Sequence, residues 1–263
     1  MEEGKDVNFY VESPSISEPA WIPVAKWVRV RFGNEIIADS KKVMLKRPYP
    51  LIYYFPKADV KMEFLDKSGK KDEKEEWGTP ELWNVKTGAK EAGNAAFSYE
   101  ESSDEAPEEI KDYIAFKWNE MDAWLEEDEE VLTHARDPYH RIDVCYRRRH
   151  VKIEIAGETV AETDRPVLLF ETGLPVRYYI PTTDVRLDLL KSTDHRTECP
   201  YKGIASYYSV NVNGDERENI IWTYPFPNNN VMKIKNLLAF FTERLDDVFI
   251  DGERLPKANT KWR

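Results

Sequence analysis

The sequence predicts a mainly β (α+β) protein built from two tandem antiparallel-sheet modules, with few short helices and a pseudo-twofold relation between the halves. Three observations predict it. The 263-residue chain contains an internal repeat, its apolar residues alternate at the period of strands, and prolines with two-residue turn signals recur along it.

The repeat is read directly. Ile37-Ala38-Asp39-Ser40 returns as Val160-Ala161-Glu162-Thr163, and, after two extra residues, Tyr53-Tyr54-Phe55-Pro56 returns as Tyr178-Tyr179-Ile180-Pro181. Gly78 then falls on Gly203, Trp83-Asn84-Val85 on Tyr208-Ser209-Val210, and Phe97-Ser98-Tyr99 on Trp222-Thr223-Tyr224. Ala115-Phe116 answers to Ala239-Phe240 and Asp122 to Asp246. A duplicated unit of this kind has the normal size of a domain. The expected organisation is an N-terminal extension (1–25), a first module (26–128), a connector (129–148), a second module (149–255) and a C-terminal tail (256–263).

The elements follow in order. Trp27-Val28-Arg29-Val30-Arg31-Phe32 and Asp59-Val60-Lys61-Met62-Glu63-Phe64 alternate at period 2 and predict strands in the first copy. Residues 107–113 follow a polar cluster and predict a short helix. In the second copy His150-Val151-Lys152-Ile153-Glu154-Ile155 and Asp184-Val185-Arg186-Leu187-Asp188-Leu189 alternate likewise, and a strand over 206–212 runs into the hairpin signal Asn213-Gly214. Residues 230–238 predict the second short helix, and Asp251-Gly252 another tight turn.

Charge excludes some functions. Residues 100–130 hold 14 acidic and 2 basic side chains, and the rest of the chain 35 acids against 36 bases, so the formal −11 belongs to one segment. That segment reads as a solvated rim, or as a docking surface for a basic partner. Nucleic-acid binding, which needs a basic surface, is not expected, and no apolar run is long enough to span a bilayer. Two cysteines make neither a disulfide framework nor a zinc site, and no cofactor is implied. Residues 1–6 lack the plan of a secretory signal, so a soluble, cytoplasmic protein is expected.

Comparing the copies locates the candidate site. The second copy has Glu171 where the first has Pro48, Arg177 where the first has Tyr54, and Cys199-Pro200-Tyr201-Lys202-Gly203 where the first has Lys74-Glu75-Glu76-Trp77-Gly78. A thiol, an ammonium, a guanidinium and a carboxylate thus occur together in one copy only. Lys202 would favour a Cys199 thiolate, Glu171 would act as acid or base, and Arg177 would anchor an anionic group. The plainer alternative packs Cys199 beneath a turn ordered by a Lys202–Glu171 ion pair. Tyr178, Tyr201, Tyr207, Trp222 and Tyr224 would wall a pocket for a flat polar ring, or form an aromatic core. His134, Asp137, His140 and Asp143 in the connector match no strong metal-ligand spacing, and its His and Arg residues read as meeting carboxylates across the module interface.

Leu169-Phe170-Glu171-Thr172-Gly173-Leu174-Pro175, Arg177-Tyr178-Tyr179-Ile180-Pro181, Cys199-Pro200-Tyr201-Lys202-Gly203, Trp222-Thr223-Tyr224-Pro225 and Asp251-Gly252-Glu253-Arg254 resemble the domain-of-unknown-function family numbered 427, in tandem form. The resemblance implies a β-tent-like fold, with two antiparallel sheets meeting at an angle and a pocket between them, like the cyclic-imide-binding domain of cereblon and the B-type methionine sulfoxide reductases. The paired zinc cysteines of those relatives have no counterpart here. A nucleotidyltransferase label attached to the family finds no Gly-Ser followed by Asp-x-Asp in this chain. The leading expectation is a small polar or ring-shaped ligand bound in the second module. The alternatives are an enzyme using Cys199 as nucleophile or redox thiol or with nucleotidyltransferase-like activity, and a structural protein docking a basic partner through 100–130.

Overall fold

The computed structural model describes residues 20–257 apart from positions 89 and 246. Most of the expected N-terminal extension and C-terminal tail, and the Asp246 half of the Asp122 match, lie outside the described residues. The described residues fall into two compact units that divide between Asp137 and Pro138.

The N-terminal unit runs through β1 (Ala20–Pro23), β2 (Val28–Phe32), β3 (Glu35–Ser40), β4 (Met44–Arg47), β5 (Ile52–Pro56), β6 (Leu65–Lys71), β7 (Glu81–Lys86), β8 (Glu91–Ser98), β9 (Tyr113–Phe116), β10 (Ala123–Glu126) and β11 (Glu129–Glu130). The C-terminal unit runs through β12 (Ile142–Tyr146), β13 (Val151–Ile155), β14 (Glu158–Thr163), β15 (Val167–Glu171), β16 (Arg177–Ile180), β17 (Leu190–Cys199), β18 (Gly203–Val212), β19 (Asp215–Thr223), β20 (Leu238–Phe240), β21 (Asp247–Ile250) and β22 (Glu253–Arg254). Each set forms a seven-stranded and a four-stranded antiparallel sheet. The orders β1-β4-β5-β9-β8-β7-β6 and β12-β15-β16-β20-β19-β18-β17 agree strand for strand, as do β11-β10-β2-β3 and β22-β21-β13-β14. The repeat seen in the sequence is therefore a repeat of topology.

The stretch expected as a connector is shared out. Glu129–Glu130 pairs with β10 inside the first unit, and Ile142–Tyr146 pairs with β15 inside the second.

Successive side chains of a strand point to opposite faces, which gives the seven-stranded sheet of each unit two buried faces. Between the sheets of the N-terminal unit, Val28, Val30 and Phe32 pack with Leu45, Tyr53, Phe55 and Ile114. The outer face of its larger sheet carries Tyr54, Trp77, Leu82, Phe97 and Tyr99. In the C-terminal unit Val151, Ile153, Leu168, Tyr178 and Ile180 fill the space between sheets, while Leu169, Tyr179, Tyr207, Trp222 and Tyr224 cover the other face. The repeated Tyr-Tyr pair thus gives one ring to each core. The expectation of an open pocket between the sheets is corrected, because that space is packed with apolar side chains.

Two hairpins form where the turn signals stand. Asn213 and Gly214 take φ of 52° and 88° and join Val212 to Asp215, and Asp251 and Gly252 (55° and 86°) join Ile250 to Glu253. The alternating segments 59–64 and 184–189 are not strands. Each is two 3₁₀ turns, Lys57–Asp59 with Met62–Phe64 and Thr182–Asp184 with Leu187–Leu189, around one bridging residue, Val60 to Ala38 and Val185 to Ala161. The period-2 pattern reports only that Val60 is buried and Met62 and Phe64 half-buried while Lys61 and Glu63 are exposed. The predicted helices are also 3₁₀ turns, Glu108–Asp112 and Asn229–Ile234, and the second gives way to β20. Among the described residues no helix is long and apolar enough to cross a membrane.

Candidate functional site

Glu171 ends β15, and the tight turn after β17 brings Tyr201 and Lys202 to it. Lys202 Nζ donates to Glu171 Oε2, and His140 Nε2 lies 3.0 Å from Oε1. The Glu171 side chain is 4% exposed and that of Lys202 12%. The His140 ring stacks on Tyr201, with centroids 4.0 Å apart and planes 18° apart. Burial alone would raise the Glu171 carboxyl, but the His140 hydrogen bond and the Lys202 charge outweigh it and hold it below the ordinary carboxylate range. His140 reaches this position because Ile142 pairs with Glu171 and the Arg141 amide donates to Thr172 Oγ1.

Gly203 fixes the turn. Its φ is +100°, and a Cβ there would meet Phe226 O at 3.0 Å. Gly78 is the same device in the first unit, with φ +127° and Glu101 O at 2.7 Å. The chain also closes the same way after each glycine, Asn228 N donating to Lys202 O and Ser103 N to Trp77 O. The glycine was kept in both copies for its backbone, and the residue before it was free to diverge from Trp77 to Lys202.

Tyr207, Trp222 and Tyr224 lie beside this cluster on the outer face, with Tyr179, a residue outside the predicted set, among them. Trp222 Nε1 donates to the Tyr179 hydroxyl at 3.2 Å, and the Tyr207 hydroxyl bonds Thr197 Oγ1 at 2.7 Å. Tyr178 points to the opposite face, into the core between the sheets, so it does not join these rings.

Arg177 shares the outer face but is already engaged. Its Nη1 and Nη2 donate to Glu243 at 2.6 and 2.7 Å, and its guanidinium stands 5.3 Å from the Trp222 ring. Strand register also corrects its counterpart. Tyr179 pairs with Val167 and Arg177 with Leu169, as Tyr54 pairs with Met44 and Ile52 with Lys46. Arg177 therefore answers to Ile52, and Tyr54 to Tyr179. Cys199, half-buried and free, ends β17.

The structure thus joins Glu171, Lys202 and Tyr201, and adds His140. The sequence signal for His140 was weak, since the strand that follows it, Ile142–Tyr146, spans five residues with only Ile142 and Val144 on the apolar face. The other former metal candidates are engaged separately. His134 Nδ1 meets Ala135 O at 2.7 Å, Asp137 accepts from Arg47, and Asp143 from Arg141. No group of three or more His, Cys, Asp or Glu is placed to hold a metal among the described residues.

A second polar group, His150, Glu162, Thr163, Asp164, Arg165 and Asp184, lines an open hollow of about 450 Å³. Its internal bonds recur in the other unit. Thr163 donates to Asp184 as Ser40 does to Asp59, and His150 meets Glu162 as Trp27 meets Asp39. Retention in both copies marks these pairs as structural.

A family model described as domain of unknown function (DUF427) matches the chain twice, over residues 21–127 and 143–251. No curated protein matches the chain.

Proposed function

We propose, from the premise that the chain belongs to the domain-of-unknown-function family DUF427 in tandem form, that its C-terminal unit binds a small polar or ring-shaped ligand on the outer face of the seven-stranded sheet. One observation carries this reading: a buried carboxylate held by an ammonium and an imidazole, Glu171 with Lys202 and His140, stands where the first unit has Pro48 and Trp77. A buried ion pair often stabilises a fold no better than well-packed apolar residues do, and the first unit fills the Lys202 position with the Trp77 ring. There Trp77 packs edge-on against Trp21 at 5.5 Å and close to Tyr54 at 5.9 Å. Keeping the charged version suits recognition more than stability. Glu171 and Lys202 would orient the ligand, Tyr207, Trp222 and Tyr224 would wall it, and Arg177 would brace Trp222.

Thermal-shift screening against nucleobases, cyclic imides and small acids tests the reading, with Lys202→Ala as the control that loses the response. A flat response to every class, in a protein shown folded by circular dichroism, sinks it. An enzymatic role for Cys199 is a second reading, favoured by its place in the same turn as Lys202. It requires alkylation of Cys199 well ahead of Cys145, and equal slow labelling of the two would remove it. We also place the protein in the cytoplasm, a reading supported by its two unpaired cysteines and tested by fractionation of tagged protein.

A further inference from the structure

We infer that the ligand of this site carries a carboxylate, bound at the Tyr224 hydroxyl and Lys202 in the place where the N-terminal unit puts its own Glu75. The inference rests on the reading above and narrows it to a ligand class.

The first unit shows the interaction complete. Tyr99, just beyond β8, donates its hydroxyl to Glu75 Oε2 at 2.8 Å, and Lys46 Nζ stands 3.8 Å from the same oxygen. Glu75 lies three residues before Gly78; three residues before Gly203 lies Pro200. Lys46 answers by register to Leu169. The second unit has therefore kept the hydroxyl, as Tyr224, and lost both its acceptor and that acceptor's counter-ion.

What remains in the second unit is a set of donors. Tyr224 is 5% exposed, its hydroxyl is not among the sealed polar atoms, and no acceptor lies within hydrogen-bond reach of it among the described residues. A hydroxyl on a largely buried ring that has no protein acceptor and is not sealed stands open to one from a ligand. Tyr179 accepts from Trp222, and its own O–H has no acceptor among the described residues. Lys202 carries three N–H donors and has one carboxylate partner among the described residues, Glu171. Burial, with Tyr179, Cys199, Tyr207 and Glu171 nearby, keeps the Tyr224 phenol protonated far above its usual range, so it can only serve such a partner as a donor.

Donors without acceptors call for acceptor oxygens, and a carboxylate supplies two. Its charge would be met by Lys202, which would then join two carboxylates. Lys67 of the first unit already does this, bonding Glu81 at 2.9 Å and Glu100.

Calorimetric titration of the full chain with acetate, benzoate, benzamide and inorganic phosphate tests the inference. Acetate or benzoate should bind while benzamide does not. Tyr224→Phe should weaken that binding roughly 10-fold and Lys202→Met roughly 10- to 100-fold, as loss of a hydrogen bond to a charged group does. Pro200→Glu, which restores the internal carboxylate, should abolish carboxylate binding and raise the melting temperature. Tyr224→Phe removes one oxygen, so it keeps the test open if Lys202→Met or Pro200→Glu fails to fold. Binding of benzamide but of neither acid overturns the carboxylate and leaves the pocket standing. Binding of phosphate alone also overturns it, and no binding by any probe or by the wider screen overturns pocket and carboxylate together.

Discussion

Arg177 and Glu243 form a two-pronged ion pair, Nη1 to Oε2 at 2.6 Å and Nη2 to Oε1 at 2.7 Å, with side chains 10% and 0% exposed. Burial would raise the Glu243 carboxyl, and the Arg177 hydrogen bonds and charge overcome that and hold it low. Removing one partner leaves a buried charge uncompensated, which costs about 3–5 kcal/mol. Arg177→Met and Glu243→Leu should each lower the unfolding free energy, read by urea titration, by that order, whereas the double substitution should recover most of the loss. Equal, additive losses would mean that the two side chains act separately, and that Arg177 is free to serve a ligand instead.

The glycine that opens β18, Gly203, gives a prediction about the turn that presents Lys202. Gly203→Ala must accept a left-handed backbone and a Cβ 3.0 Å from Phe226 O, while Gly214→Ala, also at positive φ, meets nothing within 4 Å. Both carry the backbone penalty of about 1 kcal/mol, and only Gly203→Ala adds a contact with backbone that cannot move aside. Gly203→Ala should therefore be the more destabilising of the two in urea unfolding, and should also blunt any ligand response that Lys202 supports. The reverse order would show that the turn relaxes without cost.

Much of this architecture was legible because duplication doubles every signal. The Tyr-Tyr pair and the glycine that opens β18 sit where the repeat put them, and the Asn-Gly and Asp-Gly hairpins of the second copy where their turn signals stand. What the sequence could not resolve depended on strand register and on facing direction. Tyr178 and Tyr179 are neighbours of the same type, and only the pleat decides that the first goes between the sheets and the second to the outer face. Arg177 was set against Tyr54 because the two-residue insertion was counted on the wrong side of it. His140 is 31 positions from Glu171 and meets it only because Ile142–Tyr146 is a strand. The 3₁₀ turns at 57–64 share the alternation of a strand without its pairing, and no periodicity argument separates them.

The acidic stretch was read as a solvated rim or a docking surface, and Glu126 departs from both. Its side chain is 2% exposed, accepts from the Tyr53 hydroxyl at 2.6 Å, and is paired with Lys26, with Arg136 Nη1 3.6 Å away. Glu127, Asp128, Glu129 and Glu130 are exposed. Glu126→Gln should therefore destabilise the N-terminal unit by about 1–3 kcal/mol, the cost of disturbing a buried charged hydrogen bond, whereas Glu129→Gln and Glu130→Gln should change it by less than about 0.5 kcal/mol. If the exposed acids dock a basic partner, neutralising them alone should weaken that binding at low salt with the melting temperature unchanged. A fall in melting temperature from the exposed pair would contradict the division.

Asp184 sets the acid limit of one structural joint. Arg165 and Thr163 bond its carboxylate, Thr163 Oγ1 at 2.6 Å and Arg165 Nη2 at 3.1 Å, and together with Thr183 they bring its pKa down to about 2. An aspartate in the unfolded chain titrates near about 3.9. The folded value is the lower one, so the bonds add stability that is fully present above about pH 4 and is lost as pH falls through about 2. Asp184→Asn removes the titration and keeps the shape. Wild type should be the more stable at pH 7, and the difference in urea midpoint should shrink steadily between about pH 4 and pH 2. A gap that stays constant over that range would show that the side chain matters for its shape alone, and a carboxyl chemical shift titrating near 4 in the folded protein would show that Arg165 and Thr163 do not hold it.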